Sequence, residues 1–310
     1  MTLRCDFRSL IEKCTLLFIV IVVSVRANEE CDRSKCPGPL AYYQNLGCKA
    51  VYGNQSDCCA IRYDCDHLKL RSKDKCYVNG NEYSIGEYLK QEDSNPCDVG
   101  CICLEHNDGF AAFVCAIVDC PRKPIRQNCY QKMSPAKCCR GKTICLEGNQ
   151  KRPTCNVNGK IYYDGQRFVI PSDPDLICYC QPGYEGKNVE PFCKRPNRSF
   201  CSQDFHHPHL VYDNCAPVYD YAQSPNTDCS YDARCQKDDD TVLPDSGSSN
   251  TDESMMCHFG NLKMQIGDRL SQPADNPYPS LMNCTCEVPP VPTCQYEKNV
   301  NTESFEKKHD

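Results

Sequence analysis

The stretch CYVNGNEYSIG, residues 76–86, runs from a cysteine to a glycine ten positions later. CNVNGKIYYDG, residues 155–165, and CHFGNLKMQIG, residues 257–267, repeat the phrase. Val78, Val157 and Phe259 stand two residues after the cysteine, and Tyr83, Tyr162 and Met264 stand seven after it. Asn79-Gly80 and Asn158-Gly159 sit between β-prone residues, the signal of a two-residue hairpin turn. Each phrase therefore reads as a short β-hairpin opening a small unit.

A Cys-x-Cys follows each hairpin (Cys101/Cys103, Cys178/Cys180, Cys284/Cys286), and a single cysteine closes each group at Cys115, Cys193 and Cys294. We call this the hairpin half. A second pattern alternates with it: Cys36, Cys48, Cys58, Cys59, Cys65; then Cys120, Cys129, Cys138, Cys139, Cys145; then Cys201, Cys215, Cys229, Cys235. Its last two spaced cysteines are always six apart, and its sequence has little strand pattern. We call it the loop half and expect it to be irregular. Internal repetition of the order loop, hairpin governs the whole chain.

The chain has 310 residues and 30 cysteines, without one tryptophan. That cysteine density points to a disulfide scaffold. Long periodic apolar runs, which a single large core needs, are missing. The expected fold class is small and disulfide-rich: short antiparallel hairpins plus irregular loops, in tandem elongated modules without a large hydrophobic core.

Arg4, Arg8 and Lys13 precede the apolar run CTLLFIVIVVSV, residues 14–25, and Ala27 closes a small-residue cleavage pattern. Residues 1–27 therefore read as a secretory signal peptide, and the run is too short to span a bilayer comfortably. Its removal leaves 28 cysteines, an even number, and 31 basic against 39 acidic side chains, a net charge of −8. A secreted, extracellular protein with no membrane span after cleavage is expected, and a nucleic-acid partner is disfavoured. Residues 236–256, QKDDDTVLPDSGSSNTDESMM, read as an acidic flexible linker, and residues 295–310 as a polar tail.

The ten cysteines from Cys76 to Cys145 resemble a von Willebrand factor type C domain. The Cys-x-V-N-G-x-x-Y-x-x-G opening, the PCDVGCIC cluster at 96–103, Cys120-Pro121 and the Cys138-Cys139 pair carry the resemblance. Residues 76–145 make a complete copy and 155–235 a copy with eight cysteines. Residues 28–70 resemble the second half alone, and 257–294 the first half alone. For the complete copy the resemblance implies Cys76–Cys103, Cys101–Cys115, Cys97–Cys138, Cys120–Cys139 and Cys129–Cys145. In the second copy Pro174 and Asp228 replace the counterparts of Cys97 and Cys138, the two that would have bonded each other. What remains implies Cys155–Cys180, Cys178–Cys193, Cys201–Cys229 and Cys215–Cys235. The terminal halves would hold Cys31–Cys58, Cys36–Cys59, Cys48–Cys65, Cys257–Cys286 and Cys284–Cys294. The opposite register, three tandem loop-then-hairpin units, fits the counting of halves as well, though it places Pro174 and Asp228 in different units.

Chemistry beyond crosslinking has little support. Paired Cys-x-x-Cys zinc spacing does not occur, and Lys237 to Thr241 (KDDDT) lacks the alternating oxygens of a calcium loop. His206, His207 and His209 can ligate a metal, but Pro208 and the loop setting favour a polar surface turn. No nucleophile motif or phosphate loop is visible. No cofactor and no enzymatic activity are expected. Asn54, Asn197 and Asn283 are glycosylation sequons. Function must then lie in recognition. Modules of the resembled family bind extracellular proteins, most often growth factors of the bone-morphogenetic-protein and TGF-β type, as antagonists or carriers. Ile85, Tyr88 and Leu89, beside Gly86, are the candidate ligand contacts. A matrix or adhesion protein that binds matrix components, and a secreted defence or protease-inhibitor-like factor, are the alternatives.

Overall fold

The computed structural model describes residues 31–32, 35–120, 124–170, 173–201, 203–245, 252–273 and 281–298. The expected signal peptide lies outside the described residues. The described chain is built of short antiparallel hairpins, a few short helices and irregular loops, crosslinked throughout.

The three opening phrases are hairpins: Lys75–Val78 with Asn81–Ser84, Thr154–Val157 with Lys160–Tyr163, and Met256–Phe259 with Leu262–Gln265. In each, the opening cysteine stands opposite the residue seven further on: Cys76 opposite Tyr83, Cys155 opposite Tyr162, Cys257 opposite Met264. Asn79 and Gly80 have φ of 50° and 79°, and Asn158 and Gly159 have 51° and 84°, the double positive φ that a type I′ turn demands. The third copy reverses the pair to Gly260-Asn261, and there the positive φ of 55° falls on Gly260.

The closing glycine has a shared task. Gly86, Gly165 and Gly267 sit at φ of 90°, 82° and 96°, a region closed to most side-chain-bearing residues. Their N–H groups donate to the carbonyls of Cys103, Cys180 and Cys286 at 2.7–2.8 Å. The N–H of each of those cysteines donates back to the residue after the glycine, Glu87, Gln166 or Asp268, at 2.9 Å. The same cysteines are bonded to Cys76, Cys155 and Cys257. The phrase thus folds a hairpin, turns the chain at the glycine and locks it covalently to the Cys-x-Cys strand.

That strand lies in a second small sheet. Val99–Glu105 pairs with Ala111–Ala116, Asp173–Tyr179 with Arg167–Ile170 and Cys193–Lys194, and Met282–Thr285 with Thr293–Tyr296. Disulfides Cys101–Cys115, Cys178–Cys193 and Cys284–Cys294 cross these strand pairs. The loop halves carry Cys31–Cys58, Cys36–Cys59, Cys48–Cys65, Cys120–Cys139, Cys129–Cys145, Cys201–Cys229 and Cys215–Cys235, and Cys97–Cys138 ties the first hairpin half to the second loop half. Each loop half also holds one small ladder: Lys49–Val51 with Arg62–Asp64, Cys129–Gln131 with Thr143–Cys145, and Ala216–Tyr219 with Asp232–Arg234. Strands of three or four residues are too short to write a period-2 pattern, so the sequence reads as loop.

Packing joins halves far apart in the chain. Phe205 of the third loop half enters the core of the first hairpin half and stacks on Phe113, ring centroids 4.7 Å apart. Tyr43 of the first loop half reaches the third hairpin half, its hydroxyl donating to the Val288 carbonyl at 2.7 Å. Val288 and Val291 share that loop half's core. Val218 and Tyr219 pair in parallel with Cys294 and Gln295, which merges the third loop and hairpin halves into a six-stranded sheet. The second loop half meets the second hairpin half through Tyr130, whose hydroxyl donates to Asp164 at 2.8 Å. Covalent linkage by Cys97–Cys138 therefore follows one register of the repeat. Non-covalent packing of the second and third loop halves on the hairpin halves that follow them follows the other.

Two expectations about flexible polar segments need correction. In residues 236–256, Val242–Leu243 pairs with Arg269–Leu270, Asp240 is buried against Arg234, and Glu253 pairs with Lys263. Residues 246–251 lie outside the described residues. The segment reads as linker because its acidic side chains meet their partners only through the tertiary fold. At the tail, Gln295 and Tyr296 complete the strand Thr293–Tyr296, and Tyr296 is buried. Residues 299–310 lie outside the described residues.

Candidate ligand-binding face

Among the sequence candidates, Tyr88 is the most exposed at 67 %, and Ile85 is exposed at 46 %. Residues 86–89 run beside the Cys-x-Cys strand: Leu89 donates its N–H to the Cys101 carbonyl at 2.9 Å, and Tyr88 bridges Ile102. Leu89 packs into the core of the first hairpin half with Val78, Tyr83 and Phe113, so it is corrected from ligand contact to support. The reason is local. Neighbouring residues on an extended chain point to opposite faces, and Tyr88 and Leu89 cannot face the same way.

Across the sheet, Tyr88 opposes Ile102, which opposes Val114. Side chains opposite one another share a face, so these three form one outward row. Leu104, two residues beyond Ile102, is also exposed. Cys101 and Cys103 point inward and are buried, which sends the residues between and beyond them outward. The alternation of CICL was thus sufficient to find Ile102 and Leu104, and sequence reasoning missed them. Val114 had no such marker.

The loop below this face is held by Asp93, 3 % exposed. Asn79 and Asn81 donate to it at 2.8 and 2.9 Å, and the Tyr83 hydroxyl donates to the same carboxylate. Burial works to raise the Asp93 pKa, but the three donors outweigh it and hold it below the ordinary carboxylate value. Burial and donation to Asp93 push the Tyr83 hydroxyl up to about 12. A carboxylate depressed in the folded state stabilises the fold above its unfolded pKa of about 4 and stops doing so as pH falls through its folded value. Wild type is therefore expected to lose more stability than Asp93→Asn on acidification below about pH 4, read as the urea midpoint against pH. Parallel curves would exclude this role.

The chain returning from the second hairpin half clamps the same loop. Arg198 forks onto Asp98 at 2.9 and 2.8 Å, and the Asn95 side chain exchanges hydrogen bonds with the Arg198 backbone at 3.0 and 3.3 Å. The sequon Asn197 donates its Nδ2 to the Gln91 and Ser94 carbonyls at 3.1 and 2.8 Å. Glycosylation of that nitrogen would remove one of its two donor hydrogens. Asn283 donates to Glu297 at 2.7 Å on the surface, and Asn54 is exposed beside Asp57.

The histidine cluster spans the tight connection between two short helices, with His206 and His207 exposed. Gln203–His206 and His209–Tyr212 are two short helices, with Pro208 heading the second. His206 contacts the Phe113 carbonyl at 2.8 Å, and His209 lies 3.1 Å from Asp108. Two members of the cluster thus help dock the third loop half on the first hairpin half.

Among the described residues no helix is long and apolar enough to cross a membrane, and the extent of disulfide bonding fits an extracellular protein. No protein-family model matches the chain, and no solved structure matches it.

Proposed function

We propose that the chain is a secreted binding protein of von Willebrand factor type C character. In this reading it docks an extracellular protein, a growth factor of the bone-morphogenetic-protein or TGF-β type, through the exposed face of its first hairpin half, and works by recognition rather than catalysis. The observation that carries this reading is the outward row Tyr88, Ile102 and Val114 on a crosslinked sheet. Exposed contiguous apolar side chains mark interaction sites. A face fixed by Cys76–Cys103 and Cys101–Cys115 loses little further freedom on binding. Supporting the family reading, the disulfides join cysteines in the order that the resemblance implies.

Immobilised full-length chain is expected to capture at least one dimeric growth factor of this type at micromolar or tighter affinity. Tyr88→Ser should weaken capture by about 30-fold, the effect of losing an aromatic anchor, while leaving the thermal midpoint unchanged, because Tyr88 is largely exposed. Failure of every such growth factor to bind would refute the ligand class. Binding indifferent to Tyr88→Ser would refute the face.

A further inference from the structure

A cavity of about 450 Å³ lies where four halves meet, and Tyr88, Ile102 and Val114 are not part of its wall. The first loop half supplies Tyr42, Tyr43 and Leu68 to its wall, the first hairpin half Tyr77, the third loop half Val211 and Tyr212, and the third hairpin half Met256 and Val291. Its size is that of small-molecule sites, and its wall sets aromatic and aliphatic side chains beside charged ones.

The charged groups on the wall separate into engaged and unengaged ones. Arg71 pairs with Asp204 at 2.8 Å, Lys69 with Asp66 at 2.8 Å and Lys75 with Glu82 at 2.6 Å. Glu253 pairs with Lys263, and Asp64 accepts the Asp66 N–H at 3.0 Å. Arg62, half-buried in the strand Arg62–Asp64, makes no ion pair or side-chain hydrogen bond among the described residues. A second group is in the same position. Tyr42 is 6 % exposed, and its hydroxyl makes no hydrogen bond among the described residues. Three of the other four tyrosines that line the cavity have hydroxyl partners: Tyr43 donates to the Val288 carbonyl, Tyr77 accepts the Ser72 N–H and Tyr212 donates to the Arg71 carbonyl, while Tyr63 stacks on Tyr43. Burial pushes the Tyr42 hydroxyl well above its ordinary pKa, so it stays protonated and available as a donor. Arg62, which acts on Asp66 and Asp252 only through space, and the Tyr42 hydroxyl thus have no hydrogen-bond partner among the described residues, and both can take acceptors from outside.

We propose that this cavity binds a small amphiphilic carboxylate carrying a second oxygen acceptor. Its apolar body would lie against the tyrosines and aliphatic side chains, its carboxylate on Arg62 and its second oxygen on Tyr42. This is a small-molecule site separate from the protein-docking face, and it stands or falls independently of it.

Isothermal titration of the full-length protein with 12-hydroxydodecanoate, dodecanoate and dodecan-1-ol tests it. The hydroxy acid is expected to bind one to one, dodecanoate several-fold more weakly, and the uncharged alcohol at least about tenfold more weakly, as loss of a charge-assisted contact implies. Arg62→Gln should remove the preference for the acids over the alcohol. Tyr42→Phe should remove the preference for the hydroxy acid over dodecanoate while keeping binding of both. Tyr88→Ser should change nothing. Absence of heat with all three probes up to millimolar concentration would overturn the proposal. Equal affinity for acid and alcohol, or acid binding unaltered by Arg62→Gln, would overturn it too. Loss of binding in Tyr88→Ser would place the probe on the other face and equally defeat it.

Discussion

Arg198→Ala is expected to destabilise the protein by about 3–5 kcal/mol, the cost of leaving one member of a buried ion pair without its partner. The side chains of Arg198 and Asp98 are only 7 % and 9 % exposed, and the guanidinium meets the carboxylate with both arms. On its other side the guanidinium lies 3.8 Å from the centre of the Phe205 ring, which stacks on Phe113. Arg198 therefore reinforces the junction between the first hairpin half and the third loop half from two sides, where no disulfide among the described residues crosses. Arg198→Lys keeps the charge but not the fork and should recover only part of the loss. Replacing both partners by apolar residues, Asp98→Leu with Arg198→Met, should be far milder than either single change, because no charge is then stranded. Urea unfolding without reductant reads all three. A shift below about 0.5 kcal/mol for Arg198→Ala, the size of an ordinary surface change, would show that the clamp does not hold the halves together.

How such a junction forms was not legible in the sequence, and the reason is physical. The hairpins could be read because every instruction they need is local: Asn79-Gly80 and Asn158-Gly159 supply the left-handed turn, and a glycine ten residues after the cysteine supplies the next reversal. The inward set of Cys101 and Cys103 likewise fixes the outward set of Ile102, so half of the candidate face was written in plain alternation. Tyr88 could be nominated but not told apart from Leu89, since only the pairing of residue 88 with Ile102 shows which of the two turns outward. The contacts between halves have no local signature. Asp98 and Arg198 are a hundred positions apart, as are Phe113 and Phe205 nearly so, and neither member carries a mark distinguishing it from the other charged or aromatic residues. The central cavity is hidden for the same reason. The two donors that lack a hydrogen-bond partner among the described residues become visible only when their neighbours are seen to be engaged elsewhere.

The same blindness makes the acidic run at 238–240 the sharpest place to test the fold. Three consecutive aspartates in a polar segment look equivalent and solvated, yet the structure treats them differently. Asp238 and Asp239 are exposed, while Asp240 turns inward, its side chain 4 % exposed, onto Arg234 at 7 %. Arg234 also donates to the Ser271 carbonyl at 2.9 Å and approaches the Cys284 sulfur at 3.3 Å, against the ring of Phe259. The Asp240 carboxylate accepts the Lys237 N–H at 2.8 Å, which fixes the turn that leads into Val242–Leu243. Asp240→Ala leaves a guanidinium buried beside a disulfide and frees the strand that edges the six-stranded sheet. A loss of about 3–5 kcal/mol is expected, together with new protease cleavage between residues 236 and 245. Asp238→Ala and Asp239→Ala should each fall within about 0.5 kcal/mol of wild type. Net charge changes equally in all three variants, so long-range repulsion cannot produce the difference. Only a specific buried partner can, and three equal responses would mean that the segment is the solvated linker its composition suggests.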